Sequence, residues 1–573
     1  MRSKPTTMNP ILRFPARLVR YLAYAVLLGR AGLAPALAAE SESAPVADGF
    51  WATRDGLDQT FSQRLSGLAD KCEGLKLDAQ AQVTRRWASR RDPHRQYLFL
   101  PADTDPLQPP ADAETVVQQW YKRFRQLRQD HAQGLFQLAR SELDAGRATR
   151  AYQLLHEVLH ENPDHEPTRQ ILGYRQVNGR WRKPEGTVRS RVMNVPQSPL
   201  GFNAGQYWSA DSEHFSLTTN YSQPEAERLV ASLEDLYGVW QQVFFSYWSS
   251  AAALTRRFDS QLPPARAGSR YKVVLFRERQ QYVDRLKALE PQIEVSVGYY
   301  AEPAKTAVGK TAPTKTAYFY SGAENAEEKC FHEVTHQLFS ETGSAVPPVG
   351  LKNNIWIVEG AALYMESLQR WEHGWTLGGQ DARLLQYARY RLLDNKFYLP
   401  LNQFVALGRQ GLQQHPDIGP LYSQAAGLAA FLMDYRRGVY RDAMVNYLQA
   451  VYQGRDREDT LPSLTRVPFG QLDEQYRHFL QQITDEDLAY LAAQPSARTL
   501  YLGHSAVTDA GLAQLAGLTQ LKELWLGGTQ ISDQGLVHLR NLKNLETLDV
   551  GATRVTADGL KQLQATLPSL KED

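Results

Sequence analysis

Two histidines and a glutamate fall within five residues, in His332-Glu333-Val334-Thr335-His336. In a helix, positions i and i+4 share a face about one turn apart, so both imidazoles can reach a single cation. Glu333 projects beside them, where its carboxylate can act on a water at that cation. Two ligands do not complete a catalytic site, which takes three protein ligands and leaves a position open. The third candidate is Glu359, which stands in the apolar run from Ile355 to Met365. A bare carboxylate is costly there unless it is paired or bound to metal. Twenty-two residues separate His336 from Glu359. That is enough for a loop and an antiparallel return helix, and Gly360, Ala361 and Ala362 would let the two helices approach closely.

H-E-x-x-H followed by Trp356-x-x-Glu359-Gly360-x-Ala362-x-Tyr364 resembles the gluzincins, zinc peptidases of the thermolysin and aminopeptidase type. It is most similar to a group of secreted bacterial proteins with a gluzincin-like domain. The resemblance covers roughly residues 205–455, and its specific part is 326–366. It implies zinc held by His332, His336 and Glu359, with Glu333 as general base. A second resemblance lies at Leu421-Tyr422-Ser423-Gln424-Ala425-Ala426-Gly427. Aminopeptidase-type gluzincins start such a small-residue helix with a tyrosine that stabilises the oxyanion, which implies that role for Tyr422. Tyr364 is its rival, although a supporting role behind the ligands suits it better. The aminopeptidase G-x-M-E-N segment has only a superficial match, Gly322-Ala323-Glu324-Asn325, which lacks the Met and ends too near His332. Endopeptidase action is therefore expected over aminopeptidase action.

The elements that must position these residues belong to a chain of 573 residues, too long for one core, so several domains are expected. Hydrophobic residues make up 43% and charged residues 22%, which excludes a disordered or fibrous chain. A net charge of +2 supplies no global field for nucleic acid, and none is expected as a partner. Residues 1–39 carry six basic residues and no acidic one, an apolar run from Tyr21 to Gly29, and Ala36-Leu37-Ala38 as a cleavage signature. This reads as a signal peptide, so export is expected, with no transmembrane span after its removal. Cys72 and Cys330 are expected to be free thiols.

Residues 40–204 read as a mixed, helical N-terminal region. Its Arg85, Arg86, Arg90, Arg91 and Arg95 are expected to form a solvated basic face. Within 134–175, apolar stripes at Leu135, Leu138, Ala139 and Leu143, then at Ala151, Leu154, Leu155, Val158 and Leu159, predict a helix pair of tetratricopeptide-like layout. From 205 to 489 the pattern predicts the metal-bearing domain. Strands are expected at 214–219, 271–276, 295–301 and 316–320, with loops at 249–268 and 302–315. Residues 490–573 form an array: Leu500-x-Leu502, Leu524-x-Leu526 and Leu548-x-Val550 recur every 24 residues. That period and pattern resemble leucine-rich repeats, one short strand and one helix per unit. Ala557-Asp558 departs from the Asp-Ala and Asp-Gln of the other units, which predicts a different helix start there.

The sequence thus predicts a multidomain α+β protein, exported, using Zn2+ to hydrolyse peptide bonds in a protein or peptide substrate. The repeats are expected to bind a protein partner. The alternative is a zinc-binding interaction scaffold without turnover.

Overall fold

The computed structural model describes residues 49–100, 105–177, 180–182, 188–260, 268–291, 293–302, 315–323, 326–343, 345–492 and 497–571. The expected signal peptide at 1–39, the expected loop over 303–314 and the pair Glu324-Asn325 lie outside the described residues. The fold is a mixed α+β arrangement of several units.

The N-terminal helices are α1 (Phe50–Gly74) and α2 (Asp78–Trp87), followed by a strand, β1 (Arg95–Leu98), then α3 (Thr115–Asp144), α4 (Ala148–Glu161) and α5 (Glu166–Ile171). The predicted helix pair is the end of α3 and the whole of α4. Helix α3 begins upstream at Thr115 because Trp120, Phe124 and Leu127 extend its buried stripe. A hairpin of β2 (Arg175–Val177) and β3 (Arg180–Arg182) follows.

A six-stranded sheet comes next. It contains β4 (Arg189–Val192), β5 (Trp208–Asp211), β6 (Phe215–Thr219), β7 (Tyr271–Phe276), β8 (Gly298–Ala301) and β9 (Thr316–Tyr320), in the order β4-β5-β6-β7-β9-β8. The sheet therefore reaches upstream of residue 205. Strands β6, β7 and β9 run parallel, while β8 is an antiparallel edge strand. Helix α6 (Gln223–Val243) is capped by the Ser222 hydroxyl accepting from Glu225 N, and it buries Leu229, Leu233, Leu236 and Trp240. After α7 (Phe245–Trp248), residues expected in a loop form a helix, α8 (Ala251–Ser260). Its Leu254 is buried in the α3–α4 core and Phe258 stacks on Phe136 at 5.7 Å, so tertiary packing rather than composition decides the conformation there.

Helix α9 (Arg279–Leu286) packs on the sheet. The two central helices are α10 (Ala326–Thr342) and α11 (Ile355–Met365), followed by β10 (Gln369–Trp371) and β11 (Gly374–Gly378). Strand β11 pairs with β10 and with β1, so part of the N-terminal region is built into a sheet beside α11. That insertion takes Arg91 and Arg95 out of the expected solvated basic face, while Arg85, Arg86 and Arg90 are exposed as expected. Arg95 is only 6% exposed and pairs with Asp92 and Asp381, while Arg91 lies 2.5 Å from Glu157.

Seven helices complete this unit: α12 (Arg383–Leu393), α13 (Leu401–Phe404), α14 (Arg409–Gln413), α15 (Ile418–Asp434), α16 (Arg441–Tyr452), α17 (Thr460–Thr465) and α18 (Phe469–Gln481). Among the described residues no helix is long and apolar enough to cross a membrane. Cys72 and Cys330 are both buried and free.

The C-terminal unit starts earlier than residue 490. Helix α19 (Asp485–Leu491) contributes Leu488 and Leu491, with Ile483 just before it, to the same core as Leu500, Leu524 and Leu545. Three strands, β12 (Thr499–Tyr501), β13 (Glu523–Trp525) and β14 (Thr547–Asp549), form a parallel sheet in 24-residue register. They alternate with α20 (Asp509–Leu512), α21 (Asp533–Leu536) and α22 (Ala557–Gln564). An acidic ladder joins the units. Asp485 accepts from the backbone and hydroxyl of Thr508, Asp509 from Ser532, and Asp533 from Thr556. Each Asp sits where a side chain on Gly511, Gly535 or Gly559 would collide with it, at 2.2, 2.4 and 2.1 Å, which fixes those glycines. The last helix carries Ala557 at the Asp position, and no described unit follows to receive such a carboxylate. Its start is nevertheless in phase with the others; only the cap differs, Thr556 accepting from Gly559 N where Thr508 and Ser532 accept from Ala510 N and Gln534 N.

Asp509→Ala should cost about 2–3 kcal/mol in denaturant unfolding of the repeats, because a half-buried amide and hydroxyl lose a charged acceptor. Asp558→Ala, which removes no ladder contact, should leave the midpoint unchanged. Equal effects would mean that the ladder does not stabilise the array.

Candidate metal centre

Helix α10 buries Phe331, Val334, Leu338 and Phe339 in the main core. A helix that buries this stripe turns residues 332 and 336 together onto another face. That face meets α11. His332 Nε2 and His336 Nε2 lie 3.1 Å apart, and each is 3.7 Å from Glu359 Oε2. These three side chains, all partly exposed, could hold a metal ion. No other group of this kind occurs among the described residues. Burial works to raise the Glu359 carboxyl, but hydrogen bonding and charge from the two imidazoles outweigh it and hold the group well below the usual carboxylate range.

The order of contacts shows that α11 runs antiparallel to α10. Glu359 sits between His332 and His336, while Glu366, just past the end of α11, reaches back to His332 and Lys329. Gly360 does not serve the α10–α11 approach. A side chain there would meet the Ala425 carbonyl at 2.8 Å and Ala429 at 3.2 Å, so it is α15 that presses against α11. The side chains of His332, His336 and Glu359 need space between α10 and α11, and the small residues belong on the opposite face.

Glu366 is the main residue the motif does not announce. Its carboxylate receives His332 Nδ1 at 2.9 Å, Lys329 Nζ at 2.8 Å and an Arg383 nitrogen at 3.1 Å. Its side chain is only 2% exposed. Burial raises its pKa, but His332, Lys329 and Arg383 bring it down to about 2. An ionised Glu366 holds the proton on His332 Nδ1 and leaves Nε2 to face Glu359 and His336. Its position seven residues after Glu359, on the same side of the helix, is the signal that could have found it.

Glu333 lies outside the three-donor group. Its Oε2 accepts from Tyr300 N of β8 at 2.9 Å. Gly298 on the same strand leaves room for it, since a side chain there would meet Glu333 Cγ at 2.8 Å. Tyr422, half-buried near the start of α15, is held well above its ordinary pKa by burial and then by the charges of Glu359 and Glu333. It stays a protonated donor beside both carboxylates. Tyr364 is turned elsewhere: its hydroxyl donates to Asp434 at 2.8 Å and accepts from Gln96 at 2.9 Å. Arg409 adds a cation near Glu359, tied to Glu302 at 2.8 Å and to the Val349 carbonyl at 3.1 Å. Nothing in its sequence surroundings marks it.

No protein-family model and no curated protein matches the chain.

His336→Ala should abolish tight metal binding, since two ligands leave an ion under-coordinated. Glu366→Gln should weaken it by about 10–100-fold, the range for partners that orient a ligand. Competition with a chromophoric chelator measures both; undiminished affinity in His336→Ala would remove the site from consideration.

Proposed function

We propose that the chain is a zinc-dependent peptidase of gluzincin type, exported by its N-terminal segment and joined to a leucine-rich-repeat unit. The observation that carries this reading is the placing of Glu333: beside the His332–His336–Glu359 group, outside it, and fixed by a backbone donor. A site that only held an ion would need no such carboxylate.

The donor set suits zinc. A tetrahedral ion with bonds of about 2.0–2.1 Å keeps its ligands about 3.3 Å apart. The separations of 3.1, 3.7 and 3.7 Å lie around that value. When bound, zinc supplies a Lewis acid for the scissile carbonyl and lowers the pKa of water. The side chains supply the rest. Glu333 takes a proton from the attacking water and returns it to the leaving amine. Tyr422 donates its hydroxyl hydrogen to the developing oxyanion. Glu366 keeps His332 oriented. The edge strand β8 supports a peptide substrate, because an extended chain can pair with an open edge and so lie along Glu333. Endopeptidase action on proteins or peptides outside the cytoplasm remains the favoured form of the activity.

Glu333→Gln keeps the size of the side chain and removes its basicity. Zinc content should be unchanged, while hydrolysis of a peptide library should fall by about 10²–10⁴-fold. Tyr422→Phe should also keep zinc and lose about 10²–10³-fold in rate. Lost zinc in Glu333→Gln would break the ligand assignment, and unchanged hydrolysis would place the activity elsewhere.

A further inference from the structure

We infer that the repeat unit is a positioning element of the metal centre, acting through Arg383 on Glu366 and so on His332. The inference rests on the reading of His332, His336 and Glu359 as metal ligands.

The connection is made by one stripe of α12. Arg383, Gln386, Tyr390 and Leu393 follow at i, i+3, i+7 and i+10, which places them on a single helix face. At its start, Arg383 binds Glu328 at 3.0 Å and Glu366 at 3.1 Å. Farther along, the same face is covered by the strands of the repeats. The Gln386 side-chain oxygen Oε1 accepts from Tyr501 N. Tyr390 stacks edge-on against Tyr501 at 5.6 Å and lies 5.4 Å from Trp525. Tyr390, Leu393 and Tyr501 form a separate buried cluster, and Asp394 at the end of the helix meets His504 at 3.3 Å. The outward side of the first repeat strands is therefore filled in cis.

A second observation points the same way. A cavity of about 460 Å³ lies behind Glu366. Glu328, Glu366 and Arg383 line it together with Ala497, Arg498 and Thr499 of the repeat unit. The repeats thus border the same space as the ion cluster, as well as bracing the helix that carries Arg383. Charge pairs lose strength when water enters, so a loosened repeat unit weakens the hold of Arg383 on Glu366.

The test uses full-length variants, each checked for folding by circular dichroism. Zinc affinity is read by chelator competition, and ligand geometry by the visible absorption of the cobalt-loaded protein. Arg383→Gln should lower zinc affinity about tenfold and shift the cobalt bands, and Arg383→Lys should recover most of the loss. Tyr501→Ala and Gln386→Leu touch no residue of the ion cluster, yet each should lower affinity about threefold and shift the bands in the same direction. Should Tyr501→Ala fail to fold, Gln386→Leu decides. Wild-type affinity and spectrum in the folded repeat-face variants would overturn the inference and leave the metal site standing. Equal losses in Arg383→Gln and Arg383→Lys would overturn the action through charge on Glu366. A wild-type chain that takes up neither zinc nor cobalt would overturn the metal site and this inference with it.

Discussion

The antiparallel contact of α10 with α11 is the constraint on which the rest of the molecule depends. It must bring two imidazoles and two carboxylates together with little water to help. Glu359 and Glu366, seven residues apart, straddle His332, one from the Nε2 side and one from the Nδ1 side. Helix α11 can spare few residues for anything else, and the rest of it is buried and apolar or small. Its far side is closed by α15, whose backbone comes near enough that only glycine fits at position 360. The two helices packed most closely on α11 carry the candidate residues: α10 the histidines, α15 Tyr422.

Several carboxylates stand in or around this contact, and the partners of four of them separate their roles. Glu366 is saturated by three cationic or N–H donors and can only orient. Glu359 faces the histidines and is a ligand candidate. Glu302 is paired with Arg409. Glu333 accepts from a neutral backbone donor, Tyr300 N, which leaves most of its lone pairs for a reacting molecule. One residue type thus takes several chemical duties through its surroundings.

Much of the site was legible in the sequence because its residues lie on helices, where i and i+4 translate directly into space. His332, Glu333 and His336 follow from that rule, and Glu359 from the cost of a charge in an apolar run. Tyr422 needed a resemblance, and the structure does bring it beside Glu359. Arg383 escaped because its meaning lies in the position of a third helix, α12, which no local pattern encodes, whereas Glu366 was marked only by its seven-residue spacing from Glu359. The same limit explains Arg95, which reads as surface until β1 is seen in the sheet with β11. Helix α8 escaped because its partners, on α3, α4 and α5, lie far upstream in the chain. In the repeats the strand leucines were plain, whereas the array's beginning at Ile483 was hidden. The first helix lacks a strand before it, and it has Asp487 where later units need glycine. With no earlier aspartate to crowd it, that position is free to pair with His94.

The aspartate ladder also governs how the repeat unit can change its length. Every Asp reads the start of the helix 23 residues further on, and the three locks are interchangeable: Thr508, Ser532 and Thr556 present the same backbone amide and hydroxyl. Excising residues 508–531 would bring Asp485 to Ser532 in the place of Thr508, and β12 would keep its seat on α12. Losing a few residues would instead break the lock that spans the cut, whose Asp and hydroxyl would no longer stand 23 residues apart. The array is therefore quantised, able to grow or shrink by whole units beyond a fixed first helix and a fixed docking strand, β12, whose seat on α12 is kept throughout.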